Sequence, residues 1–163
     1  MNPEPQKEHA WLQRLVGEWT SEAECDMGPD KPKGVMRGTE SVKALGDLWI
    51  IGEGFSEMPG GPSGTMRITI GYDPAKKRFV GSWVGSMMTN MWVYEGELDA
   101  SGKVLTLNTE GPLCMEGSPP GKTAKYRDVI EMKSDNHRVL SSWMQGEDGK
   151  WAPIMTCHYR RKS

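Results

Sequence analysis

The sequence predicts an all-β protein: one closed antiparallel barrel of about ten strands over residues 18–161, preceded by a short helix near residues 5–16. Three observations predict it. Apolar and polar residues alternate with period two through most of the chain, the pattern of strands with one covered and one wet face. The runs are punctuated by short turn signals, "YDPAKKR", "DASGK", "SDNH" and "EDGK", the last carrying the Asp-Gly of a tight hairpin. Twenty glycines, eleven prolines and seven tryptophans suit many tight turns and large side chains laid over glycines, and no strand–helix alternation suggests a parallel sheet.

In "PEPQKEHAWLQRLVGEW", Trp11, Leu12, Leu15 and Val16 have helical spacing that ends at Gly17, placed at the C′ position helices favour. The period then changes to two. Thr20, Glu22, Glu24 and Asp26 alternate with Trp19, Ser21, Ala23, Cys25 and Met27, a first strand with small covered residues at its middle. Runs at 34–45, 48–56, 64–73, 78–87, 89–99, 103–111, 123–134, 137–146 and 150–161 bring the count to ten. Short links imply a meander, and rolling it shut removes two exposed edges. A two-layered sandwich is the main alternative. "EGPLCMEGSPPGK" is the longest loop, expected to lie over one end of the barrel.

A chain of 163 residues and 18.2 kDa suits one domain with one sizeable core. Net charge is −2 with pI near 5.9 and both signs are interspersed, which argues against nucleic acid and anionic membrane surfaces as partners. No apolar run approaches the ~20 residues of a membrane span, and "MNPEPQKEHAW" lacks the apolar stretch of a signal peptide, so a cytoplasmic location is expected. Cys25, Cys114 and Cys157 form no CxxC pair and cannot all pair internally; buried free thiols in a reducing compartment are the expectation.

The helix followed by "LVGEW" resembles the start of calycin-type barrels, where a Gly-x-Trp tryptophan closes the bottom of a lipocalin-like barrel. Further segments extend the likeness across the chain: "GPDKP", "LGDLWIIGEG", "IGYDPAKKRFVGSWVGSM", "WVYEGELDASGKVLTLNTEGP", "KYRDVIE", "HRVLSSW" and "YRRK". Together with "PQKEHAWLQRLVGEW" they resemble the bacterial domain-of-unknown-function 1579 family. The resemblance implies a lipocalin-like barrel and carries over no catalytic residues. Haem-binding nitrobindin-like barrels are related only at the level of fold.

Charged positions turned outward assign the inner face. On 36–44, Arg37 and Lys43 outward place Met36, Gly38, Glu40 and Val42 inside; on 123–133, Lys125, Arg127, Glu131 and Lys133 outward place Tyr126, Asp128, Ile130 and Met132 inside. In "MMTNMWVYEG", Glu95 and Glu97 outward turn Met88, Asn90, Trp92, Tyr94 and Gly96 inward and leave Met87, Met91 and Val93 outside. Small residues opposite aromatic, flexible and polar ones suggest unfilled volume, the form of a small-molecule site lined by Trp19, Glu40, Met88, Asn90, Trp92, Tyr94, Tyr126 and Asp128. The plainer alternative is a packed interior in which glycines bend strands or seat aromatic rings. Inward Glu40 and Asp128 each need a partner from Arg, Tyr or backbone donors, with Tyr94 and Tyr126 as candidates. Trp49, Trp83 and Trp143 lie on strands whose two faces are both apolar, so parity leaves them unassigned.

Other motifs point nowhere. "GSPPGKT" has three residues between its glycines and a strand after it, unlike a phosphate loop. His9, His137 and His158 are isolated, which gives no zinc spacing; His9 reads as a surface residue, His137 as a turn residue, and His158 faces solvent if Cys157 and Tyr159 face inward, away from any haem. No cofactor is identified. No Gly-x-Ser-x-Gly elbow occurs, and Ser82 has no neighbouring base. The leading expectation is therefore a barrel binding a small apolar or amphipathic molecule. An enzyme using Glu40 or Asp128 as general acid or base is the second. The third is a homo-oligomer pairing through the face with Met87, Met91 and Val93.

Overall fold

In the computed structural model, residues 3–25, 30–57, 60–113 and 118–162 are described, Cys25 by its backbone only. Helix α1 spans Lys7–Gln13. Ten strands follow: β1 Gly17–Cys25, β2 Gly34–Leu45, β3 Trp49–Glu57, β4 Ser63–Asp73, β5 Arg78–Gly85, β6 Trp92–Leu98, β7 Val104–Pro112, β8 Thr123–Ser134, β9 His137–Gln145 and β10 Trp151–Arg161. Each strand pairs antiparallel with the next, and β10 pairs with β1, so the meander closes into a barrel with no free edge.

Turn chemistry sets the hairpins. Asp99 accepts from the amides of Lys103 and Val104, and Gly102 takes the positive φ of 70° between them. The Asp73 carboxylate accepts from the amides of Ala75 and Lys76. In "EDGK", Gly149 sits at φ 80°.

The helix is shorter than its apolar spacing suggests. It ends at Gln13, and the amides of Leu15 and Val16 bond the carbonyls of Leu12 and Gln13 in tighter turns. Gly17 is therefore the first residue of β1 rather than a helix cap, at φ 140°, where the Arg161 guanidinium occupies the space a side chain would need.

The helix and the adjoining barrel end form a packed floor. Trp11, Leu12 and Leu15 bury against the lower inward residues Val42, Ile50, Ile70, Phe79, Leu105, Ile130 and Met132. Trp11 Nε1 donates to the Gly102 carbonyl at 2.6 Å, and Trp19 Nε1 to the Leu15 carbonyl at 2.9 Å. Arg161 locks the closure: its guanidinium lies 4.2 Å from the Trp19 ring centroid and donates to the carbonyls of Val16, Arg14 and Asp135. His9 belongs to this floor, a correction to its reading as a surface residue. It is 3 % exposed, its Nδ1 accepts from the Gln6 amide, and its Nε2 donates to the Tyr72 carbonyl at 3.1 Å.

Candidate functional site

The strand register gives one inner face. Trp19, Ser21 and Ala23 of β1 pair with Glu40, Gly38 and Met36 of β2, and the same parity runs round the barrel to Arg138, Leu140 and Ser142 of β9 and Tyr159 and Cys157 of β10. Trp83 points inward opposite Trp92, while Trp49 and Trp143 point outward. Along this inner face, burial changes with height. Trp19, Ile50, Ile70, Phe79, Tyr94, Leu105 and Leu107 are 2 % exposed or less, whereas Met36, Ile68, Trp83, Trp92, Leu140 and Met155 are only half-buried, as are Tyr72 and Leu98 at the helix end. Toward either end of a closed barrel an inward side chain keeps exposure where space adjoins it.

Glycines do not supply that space. The Trp92 ring lies over Gly111, 2.2 Å from where a Cβ would sit, and the Ile68 and Met66 side chains lean over Gly52 and Gly54. At Gly81 and Gly96 a backbone carbonyl fills the position at 2.1 Å. These residues permit tight coiling and aromatic seating, as the plainer reading of the sequence holds.

Two polar networks project inward. Low in the barrel, Arg138 pairs with Glu40 and lies against the rings of Tyr159 at 3.9 Å and Trp19 at 4.7 Å. Cys157 adjoins it, hydrogen-bonded to Tyr159 and Ser21; burial pushes its thiol up, and burial likewise raises the Tyr159 hydroxyl. Higher up, Asp128 accepts from the Tyr94 hydroxyl on Oδ2 and from Ser142 Oγ on Oδ1 at 2.6 Å. Burial raises the Asp128 carboxyl; the two hydroxyl donors act in the opposite sense without reversing it. Burial, reinforced by Asp128, holds the Tyr94 phenol well above its ordinary range.

Of the residues selected from sequence, Trp92, Tyr94, Tyr126 and Asp128 converge on the upper inner face. Trp92 meets Tyr126 edge-to-face at 4.9 Å, and the Tyr126 hydroxyl donates to the Pro112 carbonyl at 2.6 Å rather than to a carboxylate. Glu40 points inward but is engaged by Arg138, and Trp19 is sealed in the floor with 0 % exposure. Met88 and Asn90 do not sit on a strand. Residues 86–91 form a loop at the barrel mouth, so the two-residue parity that turned them inward does not extend to them. Met88 reaches Trp92 even so, its sulfur accepting from Nε1 at 3.0 Å. Met87 lays its side chain across the inner sides of Gly64 and Gly85 yet remains half exposed, and Met91 and Val93 are exposed as well. Sequence reasoning missed Arg138, Ser142, Ile68 and Leu140.

The remaining histidines lie elsewhere. His158 points outward and stacks on His137 with 3.0 Å between Nδ1 and Nε2. His137 opens β9 rather than lying in the turn, and burial, then the positive charge of Arg160, lower its pKa. A concavity of about 1270 Å³ over β10, β1 and β2 is lined by Glu22, Arg37 and His158 outside and by Ala23, Gly38 and Met155 inside. The loop expected over the barrel end lies partly in residues 114–117, outside the described residues.

A meander closed on itself, sealed at one end by a helix and lined at the other by aromatic rings around a polar network, defines a small antiparallel β-barrel protein with its inner face as the candidate site. The chain belongs to the family described as Protein of unknown function (DUF1579), which matches residues 4–161. No curated protein matches it. Among solved structures it is similar to Rv2717c from M. tuberculosis, at 10 % identity over 98 % of this chain and 100 % of that one, with a TM-score of 0.64. It is also similar to the S-type phycobiliprotein lyase CPES from Guillardia theta, at 15 % identity over 98 % and 99 % of the two chains, with a TM-score of 0.54. At such identities the likeness speaks to the fold alone.

Proposed function

We propose that the barrel binds a small, largely apolar molecule in the upper half of its lumen, against Trp92, Tyr94, Tyr126 and Asp128, with Met88 and Asn90 at the mouth. The observation that carries this reading is the contrast along one strand of β4: inward Ile70 is 1 % exposed in the floor, and inward Ile68, one layer higher, is half-buried. Apolar walls with a few convergent polar groups are the usual composition of such sites. The closed barrel acts as one domain, and its buried free Cys157 suits a reducing, cytoplasmic setting.

The test is a fluorescence titration with 8-anilinonaphthalene-1-sulfonate followed by Trp92→Ala. Saturable binding to the folded protein, weakened about tenfold or more by the substitution, is the expected result. Absence of saturable binding, or affinity indifferent to Trp92, contradicts it.

A further inference from the structure

The two inward carboxylates, Glu40 and Asp128, have partners of different charge. Glu40 is neutralised by Arg138, which also packs on two aromatic rings. Among the described residues, Asp128 receives only the neutral hydroxyls of Tyr94 and Ser142, one on each oxygen. Among the described residues no Lys, Arg or His pairs with it. A carboxylate offers about four lone-pair positions, so two on Asp128 remain for another donor. On the same inner face, two residues further along β7 from Leu107, the partner of Asp128, the buried Thr109 Oγ1 has no hydrogen-bond partner among the described residues. Tyr94 itself, with Trp92 and Tyr126 beyond it, supplies aromatic rings of the kind that attract cations.

We propose, on the basis of the lumen-binding reading above, that the ligand is an apolar amine whose protonated nitrogen seats against Asp128, with Thr109 Oγ1 as a second acceptor and the aromatic rings around its hydrocarbon part. The raised carboxyl of Asp128 has the same origin, since burial without a cation disfavours its charge. A ligand ammonium would supply that cation. Arg138 shows that a barrel of this kind accommodates an internal cation where a carboxylate is to be neutralised within the chain.

The experiment compares three probes of one skeleton on the wild-type protein by calorimetry at pH 7.5: 2-naphthylmethylamine, 2-naphthalenemethanol and 2-naphthoate. The amine should bind at least about tenfold tighter than the alcohol, the range a charged hydrogen bond adds, and the carboxylate should bind weakest. Asp128→Asn, with folding checked by circular dichroism, should bring the amine-to-alcohol ratio close to one. If the alcohol equals the amine while both bind, the amine inference falls and the lumen reading stands. Should none of the three bind, both fall. Because the wild-type series alone discriminates, the outcome does not depend on the variant folding.

Discussion

Glu40 and Arg138 show what burial demands of single residues. Both are nearly inaccessible, and Arg138 Nε has no acceptor among the described residues, so the pair depends on mutual neutralisation and on the rings of Trp19 and Tyr159. Removing one charge strands the other. Arg138→Met is expected to cost about 3–5 kcal/mol in urea denaturation, and Arg138→Met with Glu40→Gln distinctly less than that single change. A double variant as unstable as the single would show that Arg138 acts through packing instead. Asp128 gives a pH signature. Its folded pKa is raised above the ordinary 3.8, so the folded protein holds the proton more tightly than the unfolded chain. The associated stability is full below that value and is lost as pH rises through the folded pKa. Asp128→Asn should therefore gain stability relative to wild type as pH rises from 4 toward 8. A wild-type-to-variant difference that stays constant over that range would contradict the burial of an uncompensated carboxylate.

Among the elements, the turns and alternation were legible, and irregularities were not. The bounds of β2 and β8 match the alternation read from sequence, and every predicted strand is present. The failures have local causes. Sequence parity breaks in "VGSMMTNMW" because the strand pattern of apolar residues continues through a loop that crosses the mouth. Arg138 was hidden by a bulge: Ser134 pairs with His137, but Met132 pairs with Arg138, so Lys133 is an extra residue on β8. Without that insertion Arg138 would face Lys133 on the outside, where a charged residue is ordinarily placed. A second irregularity between Pro153 and Met155 resets β10 in the same way and leaves Ile154 exposed. Glycine positions along the strands differ in what surrounds them. A Cβ at Gly96 would fall 2.1 Å from the Thr106 carbonyl oxygen, whereas at Gly64 it meets the flexible end of Met87. Gly96→Ala is expected to cost about 2 kcal/mol or more and Gly64→Ala under about 1 kcal/mol, measured by thermal and urea denaturation. Equal costs would mean that the close strand approach at Gly96 relaxes freely.

For the whole molecule, closure and the floor divide the barrel into a sealed half and a half-buried one. Arg161 ties the last strand to the chain before β1 through the carbonyls of Arg14 and Val16 and the Trp19 ring, and to the β8–β9 turn through the Asp135 carbonyl. Arg161→Ala should destabilise the protein by about 2–3 kcal/mol and speed amide exchange in α1 above that in β6 and β7. Uniform exchange across these elements would place the closure elsewhere. Helix and Gly-x-Trp foreshadowed the floor in the sequence; the inward glycines gave no measure of free space there, since their positions proved to be filled by neighbours. The partial exposure of Ile68, Trp83 and Leu140 is what supports the proposed binding in the upper lumen. The most direct measurement is methyl NMR of the isoleucines during titration with 2-naphthalenemethanol. Ile68 should shift strongly while Ile50 and Ile70, inward on the sealed floor, stay within the noise. Shifts confined to the exposed Ile154, or equal shifts at Ile68 and Ile70, would contradict a hollow that opens only above the floor.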